Sequence, residues 1–147
     1  MGAPSIEDRF EINDLFVRYT TALDAGEVET VVGCFTTECS LESPIVGIFR
    51  GHAGIREFAE RTARLKRERG AQFRHVISNL AIAVDGERAR ATCYLLDFVT
   101  VDGATQLLSP GQYDCNLVRC DGRWLFATRL VIMDRQFTLP EPPHARL

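Results

Sequence analysis

Residues 72–137 read QFRHVISNLAIAVDGERARATCYLLDFVTVDGATQLLSPGQYDCNLVRCDGRWLFATRLVIMDRQF. Three Asp-Gly pairs punctuate this stretch, at Asp85-Gly86, Asp102-Gly103 and Asp121-Gly122. Asp-Gly between apolar runs is a strong hairpin signal, because both central residues of a type I′ turn take φ > 0. The spacing predicts four long strands, at about Gln72–Val84, Glu87–Val101, Thr105–Cys120 and Arg123–Phe137. Pro110 interrupts the third. Proline lacks the ladder donor, so an edge position or a bulge is expected there.

Upstream the pattern is mainly helical. Ser5, three residues before Asp8, has the side chain to cap a helix start. Ile12, Leu15, Phe16, Tyr19 and Leu23 then follow the i, i+3, i+4, i+7 rule as one apolar stripe, and Gly26 supplies the stop. A shorter helix over Glu27–Phe35 presents Val28, Val31 and Val32. Two short strands, Cys39–Glu42 and Gly47–Arg50, flank Pro44. A third helix runs from Gly54 to about Arg69, with Ile55, Phe58, Thr62 and Leu65 facing inward. The expected fold class is therefore α+β, with helices packed in one strongly curved antiparallel sheet. Such a sheet encloses a deep pocket, and the few polar residues aimed into it would carry the function.

At 147 residues the chain fits one domain, expected over residues 5–137. Residues 1–4 read as an N-terminal extension, and 138–147 (TLPEPPHARL) as a proline-rich tail, extended across the domain or disordered. A 46% hydrophobic and 25% charged composition is that of an ordinary globular protein. The net charge of −3 argues against nucleic-acid or anionic-membrane partners. The basic run Arg61, Arg64, Lys66, Arg67, Arg69 alternates with Glu57, Glu60 and Glu68, as on a solvated helix face. No apolar stretch approaches a membrane span, and the N-terminus lacks the basic and apolar regions of a signal peptide. Five cysteines without a C-x-x-C motif suggest reduced thiols and a cytoplasmic setting; three histidines without ligand spacing make a metal site unexpected.

Polar residues at positions that the pattern wants apolar are the candidates for function. His75 shares a strand face with Phe73 and Ile77. It reads either as a hydrogen-bonded core histidine or as a general base, whose tautomer and basicity a carboxylate partner would set. Asp97 lies among large apolar neighbours, so it is paired, protonated or on the outer face, and the outer face is preferred. Asp114 and Asn116 share a face and are candidates for a cavity lining, and Arg129 is a candidate to neutralise an acid there. These four are the substrate-binding candidates. Asp24 ends the first helix, where the dipole disfavours a carboxylate unless a cation or donor lies close. On pattern alone it is an exposed turn residue, and Tyr19 a core one.

The runs RYTTALDAGEVETVVGCFTTECSLESP (18–44), IFRGHAGIREFAER (48–61), FRHVISNLAI (73–82) and RCDGRWLFATRLV (119–131) together resemble the SnoaL-like branch of the nuclear transport factor 2-like superfamily. The resemblance covers roughly Ser5 to Phe137. It implies an α+β cone, a bent and mostly antiparallel mixed sheet around a deep apolar pocket. Scytalone dehydratase, hexachlorocyclohexane dehydrochlorinase and bile-acid 7α-dehydratase of that superfamily use an Asp–His dyad. Their aspartate follows the first long helix, where this chain has Asp24, and their histidine lies early in the first long strand, where it has His75. Both matches turn the two residues from structural to catalytic candidates. Bile-acid 7α-dehydratase also has a tyrosine five residues before the aspartate, matching Tyr19, while Asp114 and Asn116 fall near polar pocket residues of scytalone dehydratase. The chain departs from steroid Δ-isomerases, whose catalytic aspartate precedes a proline: Ser43 stands there, and the adjacent Glu42 points to the opposite face.

The resemblance implies a cofactor-independent lyase or isomerase acting on a small apolar or aromatic ring compound. His75 would take a proton from carbon, Asp24 would orient it, and Tyr19 would donate to developing charge. No metal or organic cofactor is required. A homodimer or homotrimer is expected. The alternatives are a non-catalytic binding or structural subunit, such as the small subunit of a ring-hydroxylating dioxygenase, and a polyketide cyclase or ketosteroid isomerase-like enzyme.

Overall fold

A computed structural model of the chain describes residues 1–135 and Phe137. The elements run α1 (Ile6–Ala25), α2 (Val28–Val32), β1 (Phe35–Ser43), β2 (Gly47–Arg50), α3 (Gly51–Arg69), β3 (Gln72–Asp85), β4 (Arg88–Val101), β5 (Ala104–Cys120) and β6 (Arg123–Met133). The tail expected from Thr138 lies outside the described residues. The fold is α+β, three helices on one six-stranded sheet of order β2-β1-β6-β5-β4-β3. Strands β1 and β6 are parallel and the other neighbours antiparallel, giving the mixed sheet that the resemblance implies.

Two of the Asp-Gly pairs close their hairpins as expected. Asp102-Gly103 and Asp121-Gly122 are the central residues, all four with positive φ, between the last pairs Val101–Ala104 and Cys120–Arg123. The first hairpin is shifted by one residue. Asp85 pairs with Arg88, so Gly86 and Glu87 make the turn, and of the two only Gly86 takes positive φ. A glycine in the first central position supports that alternative without an aspartate in the left-handed region.

Register shifts bend the sheet. The β3–β4 ladder skips Asn79 and Leu80, where Asn79 has φ 55°, and the β4–β5 ladder skips Leu108. A bulge adds one residue, sharpens the local twist and redirects the strand. Pro110 sits two residues beyond the second shift, in an interior strand, yet its carbonyl accepts from Asp134, just past the end of β6. Its missing N–H therefore faces a position where no ladder donor is needed. Gly111 follows, and a Cβ there would run into the carbonyl oxygen of Ile132.

Helix α1 explains the curvature from the other side. Its stripe of Ile12, Leu15, Phe16, Tyr19 and Leu23 is buried throughout, and the helix touches both β3 and β6. Those strands are separated by β5 and β4, so one helix reaches both only across a concave face. Ser5 caps α1 by accepting from the N–H of Asp8. Asp8 in turn accepts from Arg119 and, at 3.1 Å, from Trp124 Nε1, which ties the helix start to the β5–β6 hairpin. Gly2, in the expected N-terminal extension, exchanges backbone hydrogen bonds with Val84.

Two helix expectations need correction. The second helix covers only Val28–Val32, because Phe35 opens β1 and packs in the core against Tyr19 and Phe126. The third begins at Gly51, and its buried seam is Ile55, Ala59 and Ala63, with Phe58, Thr62 and Leu65 half-buried beside it. Small residues occupy the seam because Gly26 at the end of α1 meets Ala63: a Cβ added to the glycine would lie 3.4 Å from the alanine's. The basic face of α3 is solvated, with Arg61 paired to Glu57 and Arg67 to Glu60. Among the described residues no helix is long and apolar enough to cross a membrane.

The close approach at Gly111 gives a stability test. Gly111→Ala forces the β5–β6 backbones apart and is expected to cost about 1–3 kcal/mol, on the scale of overpacking a well-fitted interior. Urea unfolding followed by circular dichroism reads it; an unchanged midpoint would show that the strands can part freely.

Candidate functional site

The C-terminal turn of α1 delivers Asp24 to the sheet. Gly26 ends the helix in the left-handed conformation, φ 79°, and its N–H returns to the carbonyls of Ala22 and Leu23. Asp24 therefore projects from the last full turn toward β3. Its two oxygens accept two hydrogen bonds from the same residue: Oδ2 from the backbone N–H of His75 at 3.0 Å, and Oδ1 from His75 Nδ1 at 2.5 Å. These donors answer the dipole penalty foreseen for a carboxylate at a helix C-terminus. They also set the tautomer, since an Nδ1 that donates to Asp24 leaves Nε2 as the nitrogen able to accept a proton.

His75 Nε2 faces Asp97, whose Oδ2 lies 3.5 Å away. The two residues are direct partners in the β3–β4 register, so their side chains leave the sheet on the same side. The expected outer-face placement of Asp97 is therefore corrected: it is buried, with its other oxygen, Oδ1, lacking a hydrogen-bond partner among the described residues. Burial pushes its carboxyl up to about 6; the His75 charge opposes this and the Asp24 charge adds to it. For His75, burial disfavours the cation, but the charge of Asp97 and then the hydrogen bond and charge of Asp24 outweigh it, against Arg129. Its pKa is raised. The side chains of Asp24, His75 and Asp97 keep 13%, 10% and 12% exposure, so the group is enclosed without being sealed.

Arg129, from β6, is the other ionic group inside the sheet, and it is 1% exposed. It was expected to neutralise an acid near Asp114. Instead its guanidinium lies 3.6 Å from the ring centre of Tyr113 and 3.9 Å from that of Tyr19, with Phe126 at 4.8 Å and Phe16 at 5.5 Å. Ring quadrupoles stabilise a cation in such a cage. Its Nη1 contacts Cys115 Sγ at 3.9 Å, whereas Nε and Nη2 have no partner among the described residues. A buried cation with idle donors is an electrostatic resource for negative charge. Tyr19, raised to about 12 by burial against the pull of Arg129, keeps its phenolic proton and remains a donor.

Asp114 and Asn116 are not part of this group. Both face the outer side of the sheet, where Asp114 holds Arg90 in two hydrogen bonds of 2.9 and 2.7 Å and Asn116 donates to Thr128. The period-two pattern contains the reason: Tyr113, Cys115 and Leu117 take the interior, so the residues between them point out. Tyr113 was missed as a candidate. Its alternation with Asp114 marked it as inward, but only the packing shows that it stacks on Arg129.

The arrangement can hold a proton between His75 and Asp97, present a basic Nε2 to a carbon acid, and meet developing negative charge with Tyr19 and Arg129. A profile of the SnoaL-like domain matches residues 4–130. Among solved structures, the fold is similar to a function-unknown protein of Mycobacterium tuberculosis, determined as an Asp-to-Asn variant, at 27% identity, TM-score 0.81, covering 89% of this chain and 79% of that one. It is similar to a nuclear transport factor 2-like protein with a cystatin-like fold from Novosphingobium aromaticivorans, at 22% identity and TM-score 0.79, covering 90% and 85%. It also matches a provisionally assigned scytalone dehydratase from the same organism, at 19% identity and TM-score 0.77, covering 94% of each chain. No curated protein gives a significant match.

The buried acid makes stability depend on pH with a definite sign. Asp97 holds its proton to about 6 in the folded protein, against an ordinary value of 3.8, so the folded state binds more protons between those values. Its contribution is complete below the lower value and is lost as pH rises through the upper one. The raised His75 acts in the same sense above its ordinary value. The stability of wild type relative to Asp97→Asn should therefore fall by about 3 kcal/mol across this window. Urea unfolding of both proteins at closely spaced pH values measures it, and a flat difference would place Asp97 in a watery environment.

Proposed function

We propose that this chain, which belongs to the SnoaL-like domain family, is an acid–base enzyme, a lyase or isomerase that removes a proton from carbon in a small apolar or aromatic ring compound. The observation that carries the reading is the doubled contact between Asp24 and His75, to ring and backbone, at 2.5 and 3.0 Å. A histidine held only as a core residue does not need a carboxylate on both its ring and its main chain. Asp24 orients the imidazole and stabilises the imidazolium as it forms. His75 Nε2 takes the proton. Tyr19 and Arg129 balance the negative charge that appears on the substrate, in surroundings whose low polarity strengthens each interaction. General acid–base assistance of this kind contributes ~10²–10⁴-fold. All of this chemistry is within reach of the chain's own side chains. A dehydratase or dehydrohalogenase outcome follows if a neighbouring group leaves, and an isomerase outcome if a proton returns at another carbon. The provisional dehydratase assignment of a structural neighbour is consistent with the first.

The expected homodimer or homotrimer belongs to the same proposal. Val76, Tyr94, Leu96, Leu130 and Ile132 are exposed on the outward face of the sheet, the first three on the neighbours β3 and β4 and the last two on β6, with β5 between. An apolar patch of this kind, bordered by the neutralised Arg90–Asp114 pair, suits a second copy of the chain. Sedimentation equilibrium should find an oligomer that Tyr94→Glu dissociates, and a wild-type monomer would remove this part of the proposal.

The catalytic part is tested with 2-tetralone, a small ring ketone with an acidic carbon next to its carbonyl, in heavy water. The protein should speed deuterium uptake at that carbon, and His75→Ala should lower the protein-dependent rate by about 100-fold or more while leaving the circular dichroism intact. Asp24→Asn should lower it by about tenfold, through loss of orientation. Uptake that is indifferent to His75 would rule out the base.

A further inference from the structure

The reading above uses one carboxylate of the two that flank His75. The second, Asp97, has features that packing alone does not account for. Nδ1 of His75 faces Asp24 at 2.5 Å, so a neutral ring presents a lone pair at Nε2. Asp97 Oδ2 lies 3.5 Å from that nitrogen. A lone pair facing an ionised carboxylate is repulsive, so one proton must be shared by the two atoms, as imidazolium with carboxylate or as imidazole with carboxylic acid. At 3.5 Å the separation exceeds a normal hydrogen bond, so neither arrangement is locked. The other oxygen of Asp97 is buried without a partner among the described residues. Asp97 is thus a carboxyl group with spare hydrogen-bonding capacity, on the same side of the sheet as the proposed base.

We propose that Asp97 is a second catalytic residue, a proton donor to the substrate oxygen that works together with His75 and recovers its proton from it. This rests on His75 as base and adds the substrate class: carbonyl compounds whose acidic C–H and carbonyl oxygen lie on neighbouring atoms and on one edge of the molecule. The spacing of Nε2 and Oδ2 suits groups placed that close together and excludes a proton and an oxygen on opposite sides of a ring. In the step, His75 Nε2 takes the proton from carbon. The C–H electron pair becomes the new C=C bond, the carbonyl π pair moves to oxygen, and that oxygen takes the proton of Asp97, giving the enol. The site is left as imidazolium beside carboxylate. Nε2–H then returns the proton to Asp97, the starting state is restored, and the released enol takes its new carbon-bound hydrogen from solvent as it reverts to the ketone.

Of the ionisable groups around the pair, Asp24 favours the His75 cation and Arg129 opposes it. Asp24, from α1, holds the far side of the imidazole; Tyr19, from the same helix, and Tyr113, from β5, are both kept protonated by burial; Arg129, from β6, supplies the positive charge. Burial also raises the Asp97 carboxyl to about 6, so it keeps a proton to donate at higher pH than an exposed aspartate does.

Two measurements on the full chain decide the matter. The first follows the imidazole of His75 by nitrogen NMR through a pH titration. Asp97→Asn removes the shared proton's second site and should lower the His75 midpoint by about one pH unit or more. A midpoint that does not move would overturn the proposal. The second is deuterium uptake by 2-tetralone. Asp97→Asn should slow it about tenfold or more, and Asp97→Glu, which keeps the acid, should retain more of the rate than the amide does. Equal rates for wild type and Asp97→Asn would overturn the acid role while leaving the base standing. An effect of Asp97→Asn in a protein where His75→Ala is neutral would sink both. The titration needs no substrate, so it decides even if 2-tetralone is turned over slowly.

Discussion

A carboxylate at the end of α1 takes both the main-chain and the ring hydrogen of one residue on β3, and this junction determines how the rest of the interior is arranged. Asp24 and His75 are separated by 51 positions in sequence, so the contact closes a long loop and fixes where the helix ends against the sheet. The two parts need each other. Asp24 in that place without donors would oppose the helix dipole and lose hydration. His75 without Asp24 would be a buried ring free to choose its tautomer and rotamer. Joined, they fix the ring between the layers and leave Nε2 facing Asp97.

The charges of the interior follow from that junction. Asp24 and Asp97 on one side, His75 between them, and Arg129 across the aromatic cluster form a balanced set in a region otherwise built from Phe16, Phe35, Phe126 and Leu residues. The desolvation of so many polar groups is a stability disadvantage, because replacing buried ionic groups by apolar ones is often neutral or favourable. Arg129 shows it most plainly: a fully buried guanidinium resting on four rings, with two of its nitrogens unpartnered among the described residues. Compensation is visible elsewhere, in the capped start of α1, the Asp8–Trp124–Arg119 tie and the continuous apolar core.

Much of the architecture was legible in the chain. The apolar stripe of α1 and the stop at Gly26 are local consequences of helical period and glycine's access to positive φ, and so are the two type I′ turns at Asp102-Gly103 and Asp121-Gly122. The outward direction of Asp114 and Asn116 was legible too, from the apolar residues that alternate with them, although their shared face was read as a candidate cavity lining. The end of α2 and the seam of α3 were less so, since Phe35 and Ala63 take their places from what packs on them.

Asp97 marks the boundary between the two kinds of knowledge. Both faces of its strand are apolar, with Tyr94, Leu96 and Phe98 on one and Leu95 and Val99 on the other, so alternation is silent about its direction. Counting back from the turn at Gly86-Glu87 pairs it with Val76, out of step with His75; the shift at Asn79 and Leu80 moves it by one and brings the two together. Local sequence by itself determined the helices, the strands and most of the turns, because those depend on periodicity and turn chemistry; the dyad candidates came from the resemblance to a family, since pattern alone made Asp24 a turn residue. Only the tertiary structure decided that Asp24 reaches His75, that Asp97 stands opposite, and that Arg129 lies buried among rings. Such meetings depend on register and curvature, which a single inserted residue in one strand changes for every side chain beyond it.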